Sequence, residues 1–163
     1  MKRKRSFRRA QAGFSLIELL IVVAIIAILA TVAVPKLLES LKTGRESSAM
    51  QTLRTIHNSQ ATYIGTKQRF GTLKELNEAK LLDANYVNGA PVSGYKYTSD
   101  AEVTQDKYCV QATRQAPSTA SKDFNVIEDG TIRFVESTNP SPIPHGEGTP
   151  LAGAGSTPGS SAQ

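Results

Sequence analysis

The chain has little of what catalysis and covalent cross-linking draw on. Its 163 residues include one cysteine, Cys109, no tryptophan, two histidines, His57 and His145, and only 6% aromatic residues. A single cysteine excludes an intramolecular disulfide in any compartment. Cys109 lies in Lys107-Tyr108-Cys109-Val110-Gln111-Ala112, where alternation predicts a strand, and it reads as a small buried hydrophobe. A reactive thiolate would need a nearby base and an electropositive setting, and neither histidine sits in a recognisable nucleophile motif. Carboxylates close in sequence are equally plain. Glu75 with Glu78 reads as a helix cap and Glu128 with Asp129 as the polarity of a hairpin turn, so no enzyme is expected.

Charge is missing from one long stretch. Between Phe14 and Val34 the only polar residues are Ser15, Glu18 and Thr31. Those 21 positions would make a helix of roughly 31 Å, about one bilayer hydrocarbon core, so residues 14–34 read as a membrane-spanning helix. A lone ionisable group in such a segment costs on the order of 3 kcal/mol at mid-bilayer and less near an end. Glu18 therefore calls for a partner.

What is abundant is positive charge ahead of that run. Residues 1–13 carry Lys2, Arg3, Lys4, Arg5, Arg8 and Arg9 and no anion; setting those six aside leaves 13 Lys and Arg against 14 Asp and Glu. The alkaline pI belongs to this leader. A nucleic-acid patch would use such cations on phosphates, but next to an apolar run they read as a cytoplasmic flank that places everything after Val34 across the membrane. Nucleic acid is not an expected partner, although Lys107, Arg114, Lys122 and Arg133 are candidates for a modest basic face.

Pro35 cannot donate to the carbonyl of Thr31 and is expected to bend or loosen the helix there without ending it. Beyond it Leu38, Leu41, Ala49, Leu53, Ile56, Gln60 and Tyr63 recur at helical spacing and predict a stripe that covers a small domain. Gly65 and Gly71 bracket a break, after which Thr72-Leu73-Lys74-Glu75 matches a capping box opening a short helix with Leu73, Leu76 and Leu81 on one side. Strands are predicted at 94–99, 107–113 and 124–135, the last folded at Asp129-Gly130 into a hairpin. The fold class is α+β: a long N-terminal helix whose C-terminal half packs on a three- or four-stranded antiparallel sheet with one covered face. The organisation read from the chain is a leader at 1–13, the spanning helix at 14–34, a globular part at 35–136 and a solvated, disordered Pro/Gly/Ser-rich tail at 137–163.

The segment Gly13-Phe14-Ser15-Leu16-Ile17-Glu18-Leu19-Leu20-Ile21-Val22-Val23-Ala24-Ile25-Ile26 resembles the N-terminal signature of the type IV pilin superfamily, which includes pilus subunits and the pseudopilins of type II secretion. The likeness runs over about residues 8 to 41, with leader charge, Gly-Phe junction, Glu18, apolar run and Pro35 in order. It implies a pilin fold and cleavage between Gly13 and Phe14 by a prepilin peptidase, with N-methylation of Phe14. It further implies assembly into a homo-oligomeric filament through an inner-membrane platform. Glu18 would pair with the freed Phe14 amine, while Leu16, Leu19, Leu20, Val23, Ile26 and Ala27 supply lateral surface and Pro35 any local loosening. The implied location is the bacterial inner membrane, as a single-pass protein with a cytoplasmic N-terminus in the bilayer, and then a periplasmic or extracellular filament. Many relatives close a C-terminal loop with a disulfide, which this chain cannot do, and many carry glycine where it has Ala27.

Three other readings remain open at this point. An ordinary secretory signal would use Leu19 to Ala30 as its apolar stretch and Thr31-Val32-Ala33 as its cleavage site, but leaves Glu18 unexplained. A plain single-pass anchor could carry a small binding domain. Within the superfamily, a type II secretion pseudopilin competes with a pilus subunit. Pseudopilins commonly bind calcium, for which Asp100, Glu102 and Asp106 are weak candidates; three acids on a turn are usually solvated, and no cofactor is expected.

Overall fold

The computed structural model describes residues 14–100 and 103–151. The helix α1 spans Leu16–Lys67, followed by α2 (Leu73–Glu78), a 3-10 turn at Ala84–Tyr86, and strands β1 (Tyr95–Ser99), β2 (Cys109–Arg114), β3 (Lys122–Ile127), β4 (Ile132–Glu136) and β5 (Thr149–Pro150). The chain divides into two compact units between Glu39 and Ser40.

The first unit is the N-terminal part of α1. The amide of Leu19 donates to the carbonyl of Ser15 at 3.2 Å, closing the first turn. Glu18 lies in that turn, where the positive end of the helix dipole favours an anion. The hydroxyl of Thr31 folds back on the carbonyls of Ala27 and Ile28 at 3.0 and 2.7 Å, so the one interior hydroxyl of the apolar run is satisfied by its own helix. Pro35 lies inside α1, which continues past it.

In the second unit, Ala49, Leu53, Ile56 and Tyr63 of α1 join one core with Leu73, Leu76, Leu82, Tyr95, Tyr97, Tyr108, Val110, Ala112, Phe124, Val126 and Ile132. The expected stripe is thus buried from Ala49 onward. Leu38 and Leu41 are 56% and 48% exposed and belong to the apolar surface instead. Gln60, fully buried on the same stripe, fixes the turn that follows the helix: its Nε2 donates to the carbonyl of Gly71 at 2.5 Å and its Oε1 accepts from the amide of Gly71 at 2.9 Å. A side chain at position 71 would come within 2.9 Å of the Tyr63 ring, so the close approach requires glycine. The capping box at α2 forms as the sequence predicts, with Thr72 and Glu75 satisfying each other's backbone amides.

The sheet is a meander in the order β1-β2-β3-β4-β5, each neighbour antiparallel. The β3–β4 hairpin turns at Asp129-Gly130, where Gly130 has φ +72° and the Asp129 carboxylate accepts from the amide of Thr131 at 2.7 Å. Strand alternation sends Val110, Ala112, Phe124 and Val126 to the α1 core, and Cys109, Gln111, Asn125 and Ile127 to the opposite face.

That opposite face departs from expectation, because it too is buried: β2 and β3 are closed on both sides over nearly their whole length. The cover is the segment 137–151, expected as part of a solvated tail. Its Ile143 is 3% exposed, its carbonyl meets the Cys109 Sγ at 4.0 Å, and Thr149–Pro150 add β5 to the sheet edge. Its Pro and Gly content suppresses regular structure but does not stop single residues from anchoring. Residues 152–163 lie outside the described residues.

Candidate assembly surface

Among the described residues, the most exposed apolar surface is the first half of α1. Phe14 is 77% exposed, Ile28 70%, and every large apolar residue from Phe14 to Leu41 is open. Leu16, Leu19, Leu20, Val23 and Ile26 are among them, and Ala27 and Pro35 are exposed beside them. Ile17, Ile21, Val22, Ile25, Leu29 and Val32 are equally bare, so the apolar surface runs around the whole helix and is wider than the lateral set chosen from sequence. The signal for that was the unbroken run itself: a helix apolar on all sides needs a non-aqueous environment. The helix is long and apolar enough to cross a membrane by length and composition.

Glu18 is the one carboxylate between Phe14 and Val34, exposed and in the first turn of the helix. Phe14 precedes α1. Gly13 lies outside the described residues, as does the basic leader.

The other candidates disperse. Arg114 of the suggested basic face is buried and pairs with Asp123 at 3.6 Å, Arg133 pairs with Asp129 at 2.6 Å, and Lys122 lies over the Phe134 ring at 5.0 Å. Three of those four cations are therefore used internally. Among the calcium candidates, Asp100 accepts from Gln111 Nε2 at 2.8 Å and Glu102 lies outside the described residues. Among the described residues no group of three His, Cys, Asp or Glu could hold a metal. Cys109 is buried, and burial pushes its thiol up to about 12, with Asp100 adding to the rise; a thiol so held is inert in the closed fold. His57 Nδ1 meets the Tyr108 hydroxyl at 2.6 Å, and the His57 ring packs where a side chain on Gly130 would stand.

A small α+β domain on the second half of a helix whose first half is bare and apolar is a pilin-like architecture. The comparisons agree. The prokaryotic N-terminal methylation motif matches residues 8–34. The type IV major pilin protein PilA of Myxococcus xanthus is 33% identical over 91 residues, which cover 56% of this chain and 37% of that protein. The match therefore spans well under half the length of the relative. Together the motif and the relative support the type IV pilin superfamily for this chain.

Proposed function

We propose that this chain is the structural subunit of a type IV pilus or pilus-like filament, cut between Gly13 and Phe14 by a prepilin peptidase, N-methylated on Phe14 and assembled through the apolar half of α1. The observation that carries this reading is that residues 14–34 are bare and apolar on all sides and hold a single carboxylate, Glu18, in the first turn of α1, within a motif associated with N-terminal methylation. Cleavage removes the six leader cations that fix the precursor in the membrane and leaves the helix as an anchor. The α-amino group it frees has a reference pKa near 8 and stays largely cationic. Glu18 pairs with that ammonium on a neighbouring copy. At about 4 Å and an effective dielectric near 20 the attraction is on the order of 4 kcal/mol before desolvation is set against it. Its main effect is to fix the axial register of copies whose helices pack side by side.

Intact mass and N-terminal sequencing of the protein from native envelopes test the processing. Methyl-Phe14 is expected; a new terminus at Val34 would mean secretory cleavage, and a retained Met1 a plain anchor. Electron microscopy of sheared surface material then separates a pilus from a type II secretion pseudopilin. Long fibres lost on deletion support the pilus, while lost protein export with no fibres overturns it in favour of the pseudopilin.

A further inference from the structure

The segment 137–151 is fastened differently from the rest of its unit. Only Ile143 among its residues is buried, and with Cys109 and Ile127 it stands outside the main core. Polar contacts do most of the holding, the partly buried Leu151 packing against the main core at the segment's end. The Arg114 guanidinium donates to the carbonyls of Ser121 and Ser137, each at 2.5 Å, and to the Ser137 hydroxyl at 3.1 Å. The Asp123 carboxylate accepts from the amides of Arg114 at 2.8 Å and Ser141 at 3.2 Å. Asn125 Nδ2 donates to the carbonyl of Pro144 at 3.0 Å, with longer contacts to those of Ile143 and Glu147 at 3.4 Å. At the far end, two residues of β5 and the Leu151 amide, bonded to the Ile132 carbonyl at 2.9 Å, complete the attachment. The clasp is not fully satisfied, since Arg114 Nε and Asn125 Oδ1 are buried without a hydrogen-bond partner.

Segments held by few apolar contacts and by hydrogen bonds near the surface open locally at lower free energy than the global transition. We infer that residues 137–151 form a strap that opens as a unit while the α1 core stays folded, that Arg114, Asp123 and Asn125 are its clasp, and that this opening is the event that exposes the Cys109 thiol. The inference rests on the globular unit alone and stands or falls independently of the filament reading.

The test is the rate at which iodoacetamide modifies Cys109 in the full chain in detergent micelles, followed by mass across low urea concentrations. Opening of the strap alone predicts a shallow urea dependence, because little surface is uncovered. A slope equal to that of global unfolding overturns the inference. Asn125→Ala, which removes the three carbonyl contacts without stranding a charge, is expected to raise the rate roughly ten-fold, the equivalent of one hydrogen bond of ordinary strength. Amide exchange at Leu53 and Ile56 should stay unchanged. An unaltered labelling rate, or equal acceleration of exchange in α1, would show that Cys109 is reached another way.

Discussion

Replacing Glu18 by alanine should move the protein from filament to membrane. The carboxylate sits in the first turn of an apolar helix, four residues after Phe14 and exposed. Two terms change together. In the bilayer the charge costs up to about 3 kcal/mol at mid-depth and less near the end where Glu18 lies, so its removal lowers the free energy of the membrane pool by roughly 1–2 kcal/mol. In the filament the same change removes a gross attraction of about 4 kcal/mol with a neighbour's ammonium, of which desolvation leaves on the order of 1 kcal/mol as net gain. Both shifts favour the membrane. Their sum, about 2–3 kcal/mol, corresponds to a change of roughly 30- to 150-fold in the ratio of assembled to membrane-held subunit. The assay is quantitative immunoblotting of sheared fibres against washed membranes, with intact mass confirming that cleavage after Gly13 persists. Glu18→Gln should shift the ratio the same way, since it keeps size but not charge. Normal fibre yield from processed Glu18→Ala protein would refute the pairing.

The globular unit supplies three further expectations. Gln60→Ala leaves the amide and carbonyl of Gly71 buried and unpaired and should cost about 3 kcal/mol in urea unfolding; a loss below about 1 kcal/mol would show that the turn is held by other means. Gly94 has φ +83°, and a side chain there would overlap the Thr119 methyl, so Gly94→Ala should destabilise by about 1–3 kcal/mol, read as a lowered unfolding midpoint. The Glu75 carboxyl is held down to about 2, first by its bond to Arg69 and then by the Thr72 amide. Because the folded value lies below the ordinary 4.5, its contribution is complete above that pH and fades as pH falls toward about 2. Partial exposure limits it to roughly 1 kcal/mol. Amide exchange at Thr72 should rise across that window and lose its pH step in Glu75→Gln.

Periodicity made the helix legible. The run from Phe14 to Val34 and the spacing of Ala49, Leu53, Ile56 and Tyr63 announced both halves of α1, and Asp129-Gly130 announced the β3–β4 turn, because each is a local pattern with one dominant solution. What sequence could not carry was the fate of residues 137–151. A Pro- and Gly-rich stretch lacks a period, and its burial depends on Asn125, Arg114 and Asp123, polar residues that read as solvated until their backbone partners, carbonyls for Asn125 and Arg114 and amides for Asp123, are known. The same blindness produced the basic face: Arg114 counts as a free cation only until Asp123, on the neighbouring strand, is seen to claim it. The exposure of the apolar run was legible from its lack of polar residues, and it extends beyond Leu16, Leu19, Leu20, Val23 and Ile26 to every large apolar residue from Phe14 to Leu41.

In the filament assembly proposed above, a rod of aliphatic side chains cannot pass through water on its way from lipid to fibre. Every ångström drawn out of the bilayer must be sheathed at once by sister rods, so departure and docking become a single concerted act. The growing base then has to touch the lipid surface, and a protomer arriving from the aqueous side would have no route in.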